Sequence, residues 1–158
     1  MHKRHIFPAL LFFTLILMLT GSCDRNRILE ENIPIPEGQW NSRNHVIFNV
    51  DIQTTTDPCN VYLNLRNTPD YPFSNLFLFM TTHYPDGTRS ADTLELLLAD
   101  YQGRWLGKGM GSIRFNRFLL KKNVHFPMKG KYRFEFEQAM RTPVLEGIRD
   151  IGFRLEHP

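Results

Sequence analysis

The sequence predicts an all-β chain: an antiparallel β-sandwich of jelly-roll-like form with seven to nine strands. Three observations carry this. Apolar residues recur with period two in several short segments, clusters of Gly, Pro, Asn and Asp separate those segments, and no stretch after residue 30 keeps a helical period for three turns. Thirteen Phe and two Trp supply the large side chains that a core of this size needs, and 158 residues suit one domain.

The strands follow in order. Val46, Phe48, Val50 and Ile52 alternate with Ile47, Asn49 and Asp51, a half-buried strand. Val61, Leu63 and Leu65 alternate with Tyr62, Asn64 and Arg66. Leu76-Phe77-Leu78-Phe79-Met80 is apolar throughout, which predicts cover on both faces at one end. Tyr84-Pro85-Asp86-Gly87 marks a turn, and Thr93 to Leu98 a further strand. Ile113 and Phe115 belong to one more. Tyr132, Phe134 and Phe136 point one way while Arg133, Glu135 and Glu137 point the other. Gln138 to Arg141 has room for one helical turn at most. Ile151, Phe153 and Leu155 close the chain.

The first 22 residues stand outside that domain. Met1-His2-Lys3-Arg4-His5 is a basic head, and Ile6 to Leu19 is apolar apart from Thr14 and Pro8. The run falls short of the roughly 20 residues of a membrane span and matches the core of a signal peptide. Small residues Thr20-Gly21-Ser22 lead to Cys23, and Leu19-Thr20-Gly21-Ser22-Cys23 resembles a bacterial lipobox, with Leu19 four rather than three places before the cysteine. Residues 1–22 are therefore expected to be cleaved and Cys23 to carry lipid. Residues 23–41 read as lipidated N-terminus and extended tether, because Ile33-Pro34-Ile35-Pro36-Glu37-Gly38 opposes a helix. Trp40 is expected to end the tether by packing on the sandwich, residues 42–158.

Charge narrows the function classes. Taking Lys3 and Arg4 with the signal from the 19 basic side chains leaves 17 against 16 acidic, a net charge of +1. Such a domain has no electrostatic reason to bind nucleic acid. With Cys23 consumed by lipid, Cys59 stands without a disulfide partner in its own chain and reads as a small residue at a strand start.

Catalytic and metal signatures are sparse. His45, His83, His125 and His157 lack the spacing of ligand pairs, so neither metal nor cofactor is expected. No Gly-x-Ser-x-Gly elbow activates Ser74 or Ser112. Gly107-Lys108-Gly109-Met110-Gly111 lacks the spacing of a phosphate loop and precedes a strand, which predicts a tight turn or a close backbone approach near Trp105. Asp70-Tyr71-Pro72-Phe73-Ser74-Asn75, with Arg66 and Asn67 before it, reads either as a recognition patch or as a strand-crossing loop pinned by buried polar contacts. Arg66, Asn67, Tyr71, Asn75, Trp105 and Arg141 together form the candidate interaction surface.

Several segments carry a resemblance. Asn64-Leu65-Arg66-Asn67, Asp70 to Leu76, Asp92-Thr93-Leu94, Trp105 to Gly109, Gln138 to Arg141 and Asp150-Ile151-Gly152 together resemble the GldH family, the gliding-motility lipoproteins of the Bacteroidetes. The resemblance implies a non-enzymatic lipoprotein of the cell envelope. It would support the gliding machinery and the type IX secretion system coupled to it, with other envelope lipoproteins or secretion components as partners. Only the lipid-bearing Cys23 carries over as a site residue. In the Bacteroidetes an acidic run after the cysteine resembles a surface-export signal, so its absence from Asp24-Arg25-Asn26-Arg27 implies the periplasmic side of the outer membrane, whereas in other bacteria Asp24 would imply retention in the inner membrane. Asp92-Thr93-Leu94 resembles the O-glycosylation acceptor of the same bacteria, with Thr93 as the acceptor. A polysaccharide-binding sandwich is the competing class, with Trp40, Trp105 and Tyr71 as its stacking rings.

Overall fold

The computed structural model describes residues 24–158; the expected signal segment and Cys23 lie outside the described residues. The described chain forms β1 (Arg27–Pro34), β2 (Gln39–Asn41), β3 (Val46–Ile52), β4 (Cys59–Asn67), β5 (Asn75–His83), β6 (Arg89–Leu97), β7 (Arg114–Val124), β8 (Gly130–Gln138), β9 (Val144–Glu146) and β10 (Ile148–Glu156). One four-stranded sheet runs β1-β10-β4-β7 and the other β3-β8-β5-β6, with β2 and β9 as a separate short ribbon. Each pairing is antiparallel. Each sheet draws long strands from both halves of the chain, and the first strand lies beside the last. This is jelly-roll topology, and the all-β sandwich holds.

Period two places the core as the sequence implies. Val46, Phe48, Val50 and Ile52 on β3, Val61, Leu63 and Leu65 on β4, and Tyr132, Phe134 and Phe136 on β8 are buried. Phe153 of β10 faces them across the sandwich, its ring 4.5 Å from Phe134, 5.6 Å from Phe48 and 6.2 Å from Phe136. Trp40 is buried too, its indole N–H donating to the Asn44 carbonyl at 2.8 Å.

The structure departs from the sequence reading at the tether and in the number of strands. Residues 27–34, expected as tether, are strand β1, paired with β10 from Arg27↔Glu156 to Pro34↔Asp150. The chain is extended there, but it fills the sheet edge, where proline is tolerated because no outer neighbour needs its missing N–H. Strand β1 and the short ribbon raise the strand number among the described residues to ten. On β5, Leu76, Leu78 and Met80 are buried on one face; on the other, Phe77 is half-buried and Phe79 is 49% exposed, so the second face is partly covered at one end alone. Gln138 to Arg141 makes no helical turn. The buried Gln138 side chain closes the loop instead, donating to Thr142 O (2.9 Å) and accepting from the Met140 N–H (2.9 Å).

An ion cluster fastens β1. Arg154, on the outer face of β10, donates to the carboxylates of Asp24, Glu30 and Glu156. Asn64 of β4 donates to Glu30 Oε1 at 2.8 Å and accepts from Arg117 Nε of β7 at 3.0 Å. The cluster thus links all four strands of the sheet. Burial opposes the Arg154 charge, but the three carboxylates outweigh it and raise its pKa above the ordinary arginine value.

Candidate interaction surface

The β4–β5, β6–β7 and β8–β9 connections meet at one end of the sandwich. Registers show it: Asn67 pairs with Ile148 and Arg114, Asn75 with Leu97, and Leu78 with Gln138. All six nominated residues lie in or beside these connections, so they share one end. They differ in what they can touch.

Asn67 and Tyr71 are internal fastenings. Asn67 is fully buried; its Nδ2 donates to Thr68 O (3.0 Å) and its Oδ1 accepts from Asn116 Nδ2 (2.9 Å). Gly107 lies against that pair, since a Cβ there would sit 2.7 Å from Asn116 Oδ1. Tyr71 is buried edge-on to Phe73, and its hydroxyl donates to Asn75 O at 2.9 Å. Burial pushes its phenol well above the ordinary tyrosine pKa. Gly147 permits this placement: its φ is +90°, and a Cβ would lie 2.9 Å from the Tyr71 Cα.

The other four reach solvent to different extents. Arg66 Nε donates to Asp150 Oδ2 at 2.7 Å, and that bond raises the arginine pKa further. The guanidinium side is 52% exposed while the Asp150 side chain is buried. Its carboxylate partner is therefore already supplied by β10. Asn75 is half-buried and donates to Glu95 Oε1 at 2.7 Å. Trp105 is half-buried against the core and bridges Ala99, while Arg141 is exposed. The surface expected from sequence is thus partly a support.

The exposed anchors stand on neighbouring residues of the β6–β7 connection. Tyr101 is 92% exposed, Met110 97% and Leu106 56%. Both tips are fixed. Asp100 Oδ1 accepts from the N–H groups of Arg104 and Gln102 (2.9 Å each), and Oδ2 from Arg104 Nε (2.8 Å). These donors, the Arg104 N–H foremost, hold the Asp100 carboxyl below the ordinary aspartate range. Around Met110, Arg114 Nη1 donates to Gly111 O (2.9 Å) and Ile113 O (3.1 Å), and Lys108 pairs with Phe115. The 107–111 glycine run is therefore a close approach at Gly107 followed by a fixed turn. Flanking turn formers do not single these residues out in the sequence, since Tyr71 stands between Asp70 and Pro72 and is buried.

Thr93 lies on β6, the edge strand of its sheet, and is exposed beside Phe79 in register. Cys59 begins β4 as a buried thiol, and burial raises its pKa. Among the described residues, no three His, Cys, Asp or Glu side chains group as a metal site.

The profile of the GldH lipoprotein family matches residues 27–155. A gliding motility lipoprotein GldH homolog of Christiangramia forsetii is 38% identical over 161 residues, covering 97% of each chain. The gliding motility lipoprotein GldH of Flavobacterium johnsoniae is 35% identical over 149 residues, covering 90% of this chain and 92% of that one. Among solved structures, a family GH115 4-O-methyl-α-glucuronidase with specificity for decorated arabinogalactans aligns at TM-score 0.45 and 10% identity. That alignment covers 86% of this chain and 18% of the enzyme.

Proposed function

Because the chain belongs to the GldH lipoprotein family, we propose that it is a non-catalytic, lipid-anchored interaction domain. It serves the gliding machinery and the type IX secretion system coupled to it. Cys23 carries the lipid, and the domain faces the periplasm from the outer membrane. Its partner is another envelope protein, which docks on the end bearing Tyr101, Leu106 and Met110, with Trp105 and Arg141 beside them. The observation that carries this reading is the exposure of large apolar side chains on turns that are rigidly hydrogen-bonded. Rigid anchors lose little entropy on binding, so they suit a permanent docking role.

The polysaccharide reading is weaker. Of its three stacking rings, Trp40 and Tyr71 are buried and Trp105 is half-buried, so no exposed platform is formed by them.

The test is crosslinking in living cells with Tyr101→Ser and Met110→Ser combined. Both side chains are exposed, so stability should change by no more than ~0.5 kcal/mol each. The partner complex should weaken by ~2 kcal/mol or more, seen as loss of the crosslinked band at unchanged protein level. Retention of the band refutes this surface. Thr93 is proposed as a sugar acceptor on the same domain, supported by its exposure. The intact mass of the mature protein should exceed chain plus lipid, and Thr93→Ala should remove the excess. A mass equal to chain plus lipid refutes it.

A further inference from the structure

The described chain is bonded to the sheet from its first residue, Asp24. Strand β1 begins at Arg27, and Asp24 and Asn26 before it are already tied down. The Arg27 N–H donates to Asp24 O at 3.3 Å, and the His157 N–H donates to Asn26 O at 2.8 Å. The Asp24 carboxylate is held by Arg154, whose own side chain is 3% exposed. Cys23 is one peptide unit from Asp24, about 3.8 Å between Cα atoms. A lipid on Cys23 would thus be attached one residue before a chain that is bonded to the sheet from Asp24 on.

The registers identify the end that this attachment serves. Glu156 pairs with Asn60, Cys59 with Val124, Ile52 with Gly130, and His83 with Arg133. Loops 53–58, 84–88 and 125–129 therefore gather at the Asp24 end. This end carries exposed Ile28 and a hollow of about 150 Å³, lined by Ile28, Ile52, Phe126 and Leu155 and by the acidic Asp51 and Asp57 among others. Exposed Arg25, Lys122 and Lys129 stand there with Asp24, Asp51, Asp57 and Asp86, a mixed-charge surface.

We infer that this end rests on the phospholipid headgroups, and that the sandwich stands upright on the bilayer. The occupant of this end, with exposed Ile28 and the hollow beside it, is the lipid surface. The nine residues of β10 then hold the β6–β7 connection about 30 Å above the membrane. The inference rests on lipid attachment at Cys23, as the proposed function does, but not on the identity of the partner.

The lipidated mature chain in phosphatidylethanolamine–phosphatidylglycerol vesicles, with a nitroxide on some headgroups, tests it. Fluorophores are placed through Thr54→Cys or Lys129→Cys at the near end, and through Met110→Cys or Arg141→Cys at the far end, each with Cys59→Ala. Near-end probes should be quenched several-fold more than far-end probes. A Gly/Ser insertion between Cys23 and Asp24 should abolish the difference. Equal quenching at both ends, or quenching unchanged by the insertion, overturns the inference. Should Cys59→Ala fail to fold, hydrogen exchange on the unsubstituted protein gives the same decision. Vesicle attachment should then slow exchange in 53–58 and 125–129 but not in 99–112, and equal change at both ends overturns the inference. A mature mass without lipid overturns both this inference and the anchored reading, whereas retention of the crosslinked band in the Tyr101→Ser, Met110→Ser variant with near-end quenching intact removes only the partner reading.

Discussion

Phe153→Ala is expected to lower stability by about 4 kcal/mol, the upper half of what large-to-small core changes cost. Phe153 is fully buried on β10, and its ring contacts Phe134, Phe48 and Phe136 of the facing sheet. Removing it deletes the apolar transfer term and leaves a cavity. The cavity cannot collapse easily, because both walls are sheets fixed by backbone ladders. Phe153→Leu keeps most of the volume and should cost well under half as much. Urea unfolding at constant slope checks both. Phe79→Ala is the control: its side chain is half-exposed on the outer face of β5, so the same chemical change should cost ~1 kcal/mol or less. Similar losses at the two sites would contradict the assignment of Phe153 to the centre of the core.

Arg154→Met should cost about 3 kcal/mol, chiefly through the carboxylates it abandons. Glu30 and Glu156 are mostly buried, while Asp24 is half-exposed and loses less. Methionine retains the stem packing, so the loss reports charge pairing rather than volume. The effect should be concentrated on β1: hydrogen exchange of residues 27–34 should quicken before that of β4 or β8. The pH dependence has a definite sign. Arg154's hydrogen bond holds the Asp24 carboxyl below the ordinary aspartate range. A depressed folded pKa contributes stability above the unfolded value, about 3.9, which is lost as pH falls through the folded value. The gap between wild type and Arg154→Met should therefore narrow below about pH 4. A gap that widens there would reverse the assignment.

The candidate surface was legible as a place before it was legible as a set of roles. Arg, Asn and aromatic residues around Asp70–Asn75 pointed to the end where the β4–β5, β6–β7 and β8–β9 connections meet. Composition could not tell Tyr71, which is buried and donates to Asn75 O, from Tyr101, which is almost fully exposed. The reason is that burial of a loop ring depends on what crosses above it. For Tyr71 that neighbour is Gly147, from a segment more than seventy residues later. Arg66 illustrates the same limit. An alternating strand shows that its side chain leaves the core, but Asp150 became its partner through pairing of β4 with β10.

What the amino-acid order determines by itself is local: which residues alternate, where Gly, Pro and Asp break the chain, that residues 6–19 form an apolar run, and that Cys23 follows small residues. Those local facts suffice for the strand class and for most inward faces, because side-chain period and turn chemistry act over a few residues. Tertiary structure alone decided that residues 27–34 are the eighth long strand rather than a tether. Their stretch has mixed charge and weak alternation, and it becomes a strand because β10, more than a hundred residues away, offers an open edge and Arg154 offers a counter-charge to Glu30 and Asp24. Pairing energy between distant segments is not written in either segment's own pattern.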